Sequence, residues 1–155
     1  MYVFGKTKFI MESVQTYCDH DFVEYFRNVP GSAMLYTFRV AKLAPTFSIS
    51  VIIRALTSQR LMYQMNNLDG CLFLNNPLIS KALRHTYQAI VANKTVFRCP
   101  IEPKVYFLKN MARAKFINRL HPYGRYQVNV RIHMPLSPAS FVMEVIWKYN
   151  VVHFK

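Results

Sequence analysis

The chain has 155 residues, 52% hydrophobic and 15% aromatic with only 4 glycines, a composition that excludes a disordered or collagen-like polypeptide and suits one packed core. Its 20 Lys and Arg against 7 Asp and Glu give a formal net charge of +13, a bias toward acidic partners such as nucleic acid, anionic lipid headgroups or sialylated glycans. No run of four or more consecutive basic residues occurs, so the charge is spread over wet surfaces and marks no single site.

Taken in chain order, Met1 to Glu12 hold Lys6 and Lys8 but no apolar core followed by a small-residue cleavage site, so no secretory signal is read there. No apolar stretch approaches the roughly 18 residues of a membrane-crossing helix. From Leu35 onward apolar residues recur at every second position, the period of a half-buried strand. Tyr36, Phe38 and Val40 share one face of the first clear strand, with Thr37, Arg39 and Ala41 on the other. After Pro45 the alternation restarts as Phe47, Ile49, Val51 and Ile53 against Ser48, Ser50, Ile52 and Arg54. Weaker strands are expected at Leu61 to Leu68 and Lys104 to Asn110. The clearest strand sets Tyr126, Val128, Val130, Ile132 and Met134 inward and Gln127, Asn129, Arg131 and His133 outward, entered through a turn at Pro122 and Gly124. A last strand repeats the scheme with Phe141, Met143, Val145 and Trp147 against Glu144 and Lys148.

One segment departs from this period. Between Pro77 and Asn93, Ile79, Leu83, Tyr87, Ile90 and Val91 fall three or four apart, which predicts a single amphipathic helix of about four turns lying across the sheets. No repeat or low-complexity linker divides the chain, so residues 1–155 read as one domain. Many short strands with one helix predict an all-β fold, a two-sheet antiparallel β-sandwich.

The polar motifs carry little chemistry. Cys18, Cys71 and Cys99 fit either one disulfide plus a spare thiol or three buried thiols, with no Cys-x-x-Cys spacing for zinc. His20, His85, His121, His133 and His153 show no pair at helical ligand spacing, so no metal and no cofactor is expected. Asp19-His20-Asp21 resembles a catalytic cluster but lacks a nucleophile at fixed geometry, and His20 lies two residues from Cys18 on an extended chain. With so few carboxylates, an enzyme is disfavoured. Asn93-Lys94-Thr95 is an acceptor tripeptide for N-glycosylation at Asn93.

Several spacings are more particular. Asp69-Gly70-Cys71-Leu72-Phe73-Leu74, then Asn76-Pro77 and Cys99-Pro100, followed by Leu120, Pro122, Gly124 and Tyr126, together resemble a fly-expanded insect family of domains of unknown function related to the CheB chemosensory proteins. Leu43-x-Pro45 and the segment Phe9 to Val23 also look like it, so the likeness covers about residues 8 to 152. Two elements differ: the family's second cysteine has no counterpart in Glu24 to Leu35, and its Gly-Tyr-x-Pro-Phe element stands here as Leu61-Met62-Tyr63-Gln64.

The resemblance implies an ML-like (or immunoglobulin-like) sandwich whose sheets spread to hold a lipid or other hydrophobic small molecule, in a secreted, extracellular protein with an upstream leader. Cys71 and Cys99 are then expected to form a disulfide around the helix, the alternative being two buried thiols in a reducing compartment. The expected cavity lining is Phe38, Val40, Phe47, Ile49, Val51, Ile53, Phe73, Leu83, Tyr87, Phe107, Tyr126, Val128, Val130, Ile132, Phe141, Met143, Val145 and Trp147. Met34, Met62, Met65, Met111 and Met143 add soft side chains suited to an adaptable pocket. Lys81, Arg84, Arg113, Lys115 and Arg119 are placed to meet an anionic membrane surface or headgroup, and a receptor is a further expected partner. Two competing readings remain: a basic nucleic-acid-binding β-domain, against which the aromatics mostly share the apolar face, and an interaction-only paralogue whose core is filled.

Overall fold

A computed structural model of the chain describes residues 6–75, 98–109 and 122–154. Within them the chain runs β1 (Lys6–Cys18), β2 (Val23–Asn28), β3 (Tyr36–Val40), β4 (Ser48–Ala55), β5 (Leu61–Asp69), α1 (Gly70–Asn75), β6 (Val105–Leu108), β7 (Gly124–His133) and β8 (Met143–Phe154). The strands form a five-stranded sheet in the order β1-β8-β7-β4-β5 and a three-stranded sheet in the order β2-β3-β6. Every pairing is antiparallel, so the fold is the two-sheet antiparallel β-sandwich that the alternation predicts. The expected helix between Pro77 and Asn93 lies outside the described residues, as do Lys81, Arg84, Asn93, Arg113, Lys115 and Arg119. Among the described residues no helix is long and apolar enough to cross a membrane.

The residue-level alternation sets the register. Directly opposed residues of antiparallel strands share a face, so each inward row can be followed across the large sheet. Tyr63, Ile53, Val128, Trp147 and Val14 form one row from β5 to β1. Met65, Val51, Val130, Val145 and Thr16 form the next, and Leu68, Ile49, Ile132, Met143 and Cys18 the third. The small sheet lies over one end of these rows: Phe26, Tyr36, Phe38, Val40 and Tyr106 pack with Val142, Met143, Val145 and Trp147 in one buried cluster. Phe38 stacks on Tyr106 with ring centroids 5.1 Å apart, and Phe26 meets Phe38 edge-on at 5.8 Å.

Two strands that the periodicity does not reveal, β1 and β2, are each interrupted by an irregularity. In β1 the register shifts between Met11 and Ser13, so Phe9 and Met11 face inward before it and Val14 and Cys18 after it. The extra residue, Glu12, flips the parity of the strand and reaches outward to Arg125 in two contacts of 2.8 and 2.6 Å. The same happens in β2 between Val23 and Tyr25, after which Phe26 takes the buried position. A search for one continuous alternation therefore passes over both.

The turns explain the proline and glycine spacings. Gly124 holds φ at 133°, a region where only glycine avoids strain, and two residues later the Tyr126 hydroxyl donates back to the Pro122 carbonyl at 3.0 Å. Tyr106 makes the equivalent bond to the Glu102 carbonyl at 3.1 Å. Gly70 is required for another reason: a Cβ there would drive into the Phe47 ring. Asp69 caps α1, accepting from the Cys71 and Leu72 amides at 3.0 Å each, as a carboxylate at a helix N-cap does.

Candidate functional site

The expected cavity lining separates into groups that the structure places differently. Phe38, Val40, Tyr126, Met143, Val145 and Trp147 are buried in the interior. Phe47, Ile49, Val51, Ile53, Phe73, Val128, Val130 and Ile132 are only half-buried. Leu83 and Tyr87 lie outside the described residues.

Phe107 and Phe141 correct the expectation. On β6 it is Tyr106, 1% exposed, that turns inward, while the neighbouring Phe107 is 38% exposed on the opposite face. The alternation of this four-residue strand is one position out from the reading that put Phe107 inside. Ahead of β8, the fully buried residue is Val142, and Phe141 instead lies under the Arg131 guanidinium at 5.3 Å. Arg131 is an outward residue of β7, so Phe141 belongs to the outer surface.

The half-buried residues are contiguous. Each inward row is buried on β8 and half-buried on β7 and β4, and one row runs on to an exposed edge: Trp147 is 6% exposed, Val128 and Ile53 are intermediate, and Tyr63 on β5 is 50% exposed. The strands β4, β5 and β7 thus present a half-buried apolar surface, which we call the trough, formed by Ile49, Val51, Ile53, Val128, Val130 and Ile132. At one end of it stand Phe47 and α1. The Gly70 amide donates to the Phe47 carbonyl at 2.8 Å, and Cys71 is bonded to Cys99 with their Cα atoms 5.7 Å apart. Next to this clip, Ala44 and Ile101 exchange backbone hydrogen bonds of 3.0 and 2.7 Å. The chain at Cys99 and Ile101 is therefore tied to α1 by the covalent link and to the entry of β4 by the bridge.

Cys18 is the free cysteine. Burial pushes its thiol pKa up, the Asp19 carboxylate adds to the rise, and a hydrogen bond with the Phe26 backbone offsets part of it. His20 does approach, with Nδ1 3.7 Å from the sulfur, but the same nitrogen lies 2.8 Å from the Glu24 carbonyl oxygen. A carbonyl can only accept, so Nδ1 carries the proton there and is not a base for the thiol. Asp19 has a structural task in place of a chemical one. Its carboxylate accepts from Ser137 Oγ at 3.1 Å and from the Asp21 amide at 3.2 Å, and its carbonyl accepts from the Val23 amide at 2.8 Å. It therefore secures the turn from β1 to β2 against the loop before β8. Among the described residues no three His, Cys, Asp or Glu side chains gather in a way that could hold a metal.

Tyr149 stacks on Tyr126 with centroids 5.7 Å apart. Burial, and then the proximity of Tyr126, push the Tyr149 hydroxyl pKa far above its ordinary value. Both rings belong to a second buried cluster, with Val151, that packs against Ile53 and Ala55. This cluster closes the other end of the trough.

No curated protein matches the sequence. Residues 47–128 match the family model described as a protein of unknown function, DUF1091. That span runs from Phe47 through β4, β5, the Cys71–Cys99 clip and β6 into the first half of β7, and the chain belongs to this family.

Proposed function

We propose that the protein is a non-enzymatic carrier that holds an acyl chain or similar hydrophobic small molecule along the trough on β4, β5 and β7. The observation that supports this reading is the fall in burial along the inward rows, from Trp147 at 6% exposed to Tyr63 at 50%. Apolar side chains left half-exposed side by side form the kind of patch that soluble proteins cover with a ligand or partner. Each methylene removed from water there contributes about 0.8 kcal/mol, so a chain of a dozen carbons gains affinity from the apolar floor alone. Selectivity would come from the rim.

The resemblance to the CheB-related and ML-type lipid-recognition proteins, carried by the Asp69 to Leu74 element and by Pro122, Gly124 and Tyr126, supports the same reading. It adds export to an extracellular, chemosensory setting. The clip between Cys71 and Cys99 suits an oxidising compartment. The net charge of +13 suits delivery to an anionic membrane surface or an acidic receptor.

The test is organic extraction of protein made in an oxidising secretory host, followed by mass spectrometry and titration with a fluorescent fatty acid. The carrier reading expects a copurifying lipid, or saturable uptake of the probe that Val51→Trp abolishes by filling the trough. If no lipid copurifies and the probe does not bind, the interior is solid and the carrier reading fails.

A further inference from the structure

The opposite, outward face of the large sheet has a feature that an ordinary wet surface does not. Glu144 points outward from β8, yet its side chain is only 7% exposed. The carboxylate is covered by the polar side chains that bond to it. Arg131, directly opposite on β7, donates through Nε to Glu144 Oε2. Asn129 approaches the same oxygen at 3.4 Å and itself accepts from Gln127 Nε2 at 2.8 Å.

Across β7 the row continues to Ser50 on β4 and then to an irregularity in β5, where the register shifts between the pairs of Ile49 and Val51. Asn66 and Asn67 together stand against Ser50, a bulge that sends two amides to the outer face. Asn67 sits at φ 55°, and its amide nitrogen donates to Ser50 Oγ at 3.1 Å. Ser50, both asparagines, Asn129, Arg131 and Ser140, together with Ile52 and His133, line a cleft of about 280 Å³.

We propose that this cleft binds the terminal sugar of a neutral glycan. Its volume lies just below the roughly 300 to 1,000 Å³ of drug-sized ligand sites, which suits one end of a chain. Beside Arg131, His133 and Ile52, the lining is made of amides and hydroxyls, each offering a donor and an acceptor, the match for vicinal hydroxyl groups. Arg131 is paired with Glu144, so its charge is not free for an anion even in a protein of net charge +13; His133 is the other basic side chain of the lining. Among the described residues the side-chain amide of Asn67 and the hydroxyl of Ser140 make no hydrogen bond, which leaves both free for a ligand. Tyr17 lies opposite Glu144 on β1 and is 48% exposed. It is two strands from Arg131, about 10 Å at normal strand spacing, where its ring can meet the apolar face of a second sugar.

The site lies on the face opposite the apolar trough, so it stands or falls independently of the carrier reading. The test uses the full chain with its disulfide, labelled with nitrogen-15, and titrates the methyl glycosides of α-mannose, β-galactose and N-acetyl-β-glucosamine. At least one should shift the side-chain amide signals of Asn66, Asn67 and Asn129 saturably, with affinity in the millimolar class. Asn67→Gly keeps the backbone conformation, since glycine adopts positive φ without strain. It should fold normally and bind about two- to tenfold more weakly, the effect of one lost hydrogen bond. Absence of a saturable shift with all three glycosides overturns the proposal. So does inorganic phosphate moving these signals where the glycosides do not, or unchanged affinity in both Asn67→Gly and Ser140→Ala.

Discussion

The two ends of the large sheet carry the same apolar alternation and end in different states. On β8, Met143, Val145 and Trp147 are buried because residues of β2, β3 and β6 pack on them, and Tyr149 and Val151 are buried in the second cluster with Tyr126. On β4, Ile49, Val51 and Ile53 face the same way and remain half-buried, and of the residues around β4 only Phe47 joins the cluster that unites the sheets. A strand's hydrophobic pattern therefore states which face is inward, while the depth of burial depends on what is packed opposite. That difference is what separates a core from a binding surface.

The largest test of the comparison is Trp147→Ala at the packed end. Removing a buried tryptophan should cost about 3 to 5 kcal/mol, read as the shift in free energy from urea unfolding. A loss below about 1 kcal/mol, the size of a surface change, would show that the packed end is not the core. The next is the double variant Cys71→Ser with Cys99→Ser. Its bond closes a loop across a sequence separation of 28, so the variant should lose about 3 to 4 kcal/mol in the chain-entropy account. The loss should loosen the entry of β4, visible as faster amide exchange at Ala44 and Gly70, with the β8 amides remaining protected. A sharper comparison uses two valines of one row, Val51 and Val145, which differ only in burial. Val145→Ala should cost about 2 kcal/mol and Val51→Ala about 1 kcal/mol, from the methyl groups withdrawn from water in each place. Equal costs would abolish the distinction between the two ends.

The smallest effect at neutral pH is at Tyr149. Its folded pKa is raised, so the neutral hydroxyl is favoured in the folded state, and its contribution is complete below the unfolded tyrosine value of about 10. Stability is lost as pH rises above that value, because the unfolded chain releases the proton first. Tyr149→Phe should flatten the alkaline limb of a stability-against-pH curve above pH 10, and should leave its slope near pH 7 as it was. An unchanged alkaline limb would place the responsible group elsewhere.

Much of the fold was legible in the residues. The alternation from Tyr36 to Val40, from Phe47 to Ile53 and from Tyr126 to Met134 gives the strands and their inward faces directly, since successive side chains of a strand point to opposite faces. The candidate site was legible only in part. Its floor, Ile49 to Ile53 with Val128 to Ile132, follows from that parity. That Phe38, Trp147 and Val145 are buried does not follow, because they carry the same pattern. The outer cleft was missed, although the Asn66-Asn67 pair within a strand of poor alternation was its signal.

What the sequence determined by itself is local: strand parity, the turn in which Gly124 allows Tyr126 to bond back to Pro122, and the amides and carboxylate that cap α1. Each depends on groups within a few residues of one another, so short-range sterics and hydrogen bonding suffice. The tertiary structure decided the rest. Bulges at Glu12 and beside Asn67 change parity only because a partner strand continues past them, and Phe107 and Phe141 turn outward because Tyr106 and Val142 hold the inward places. Which half of a uniformly apolar sheet becomes core and which stays open is set by where the second sheet lands, a long-range fact that no window of sequence contains.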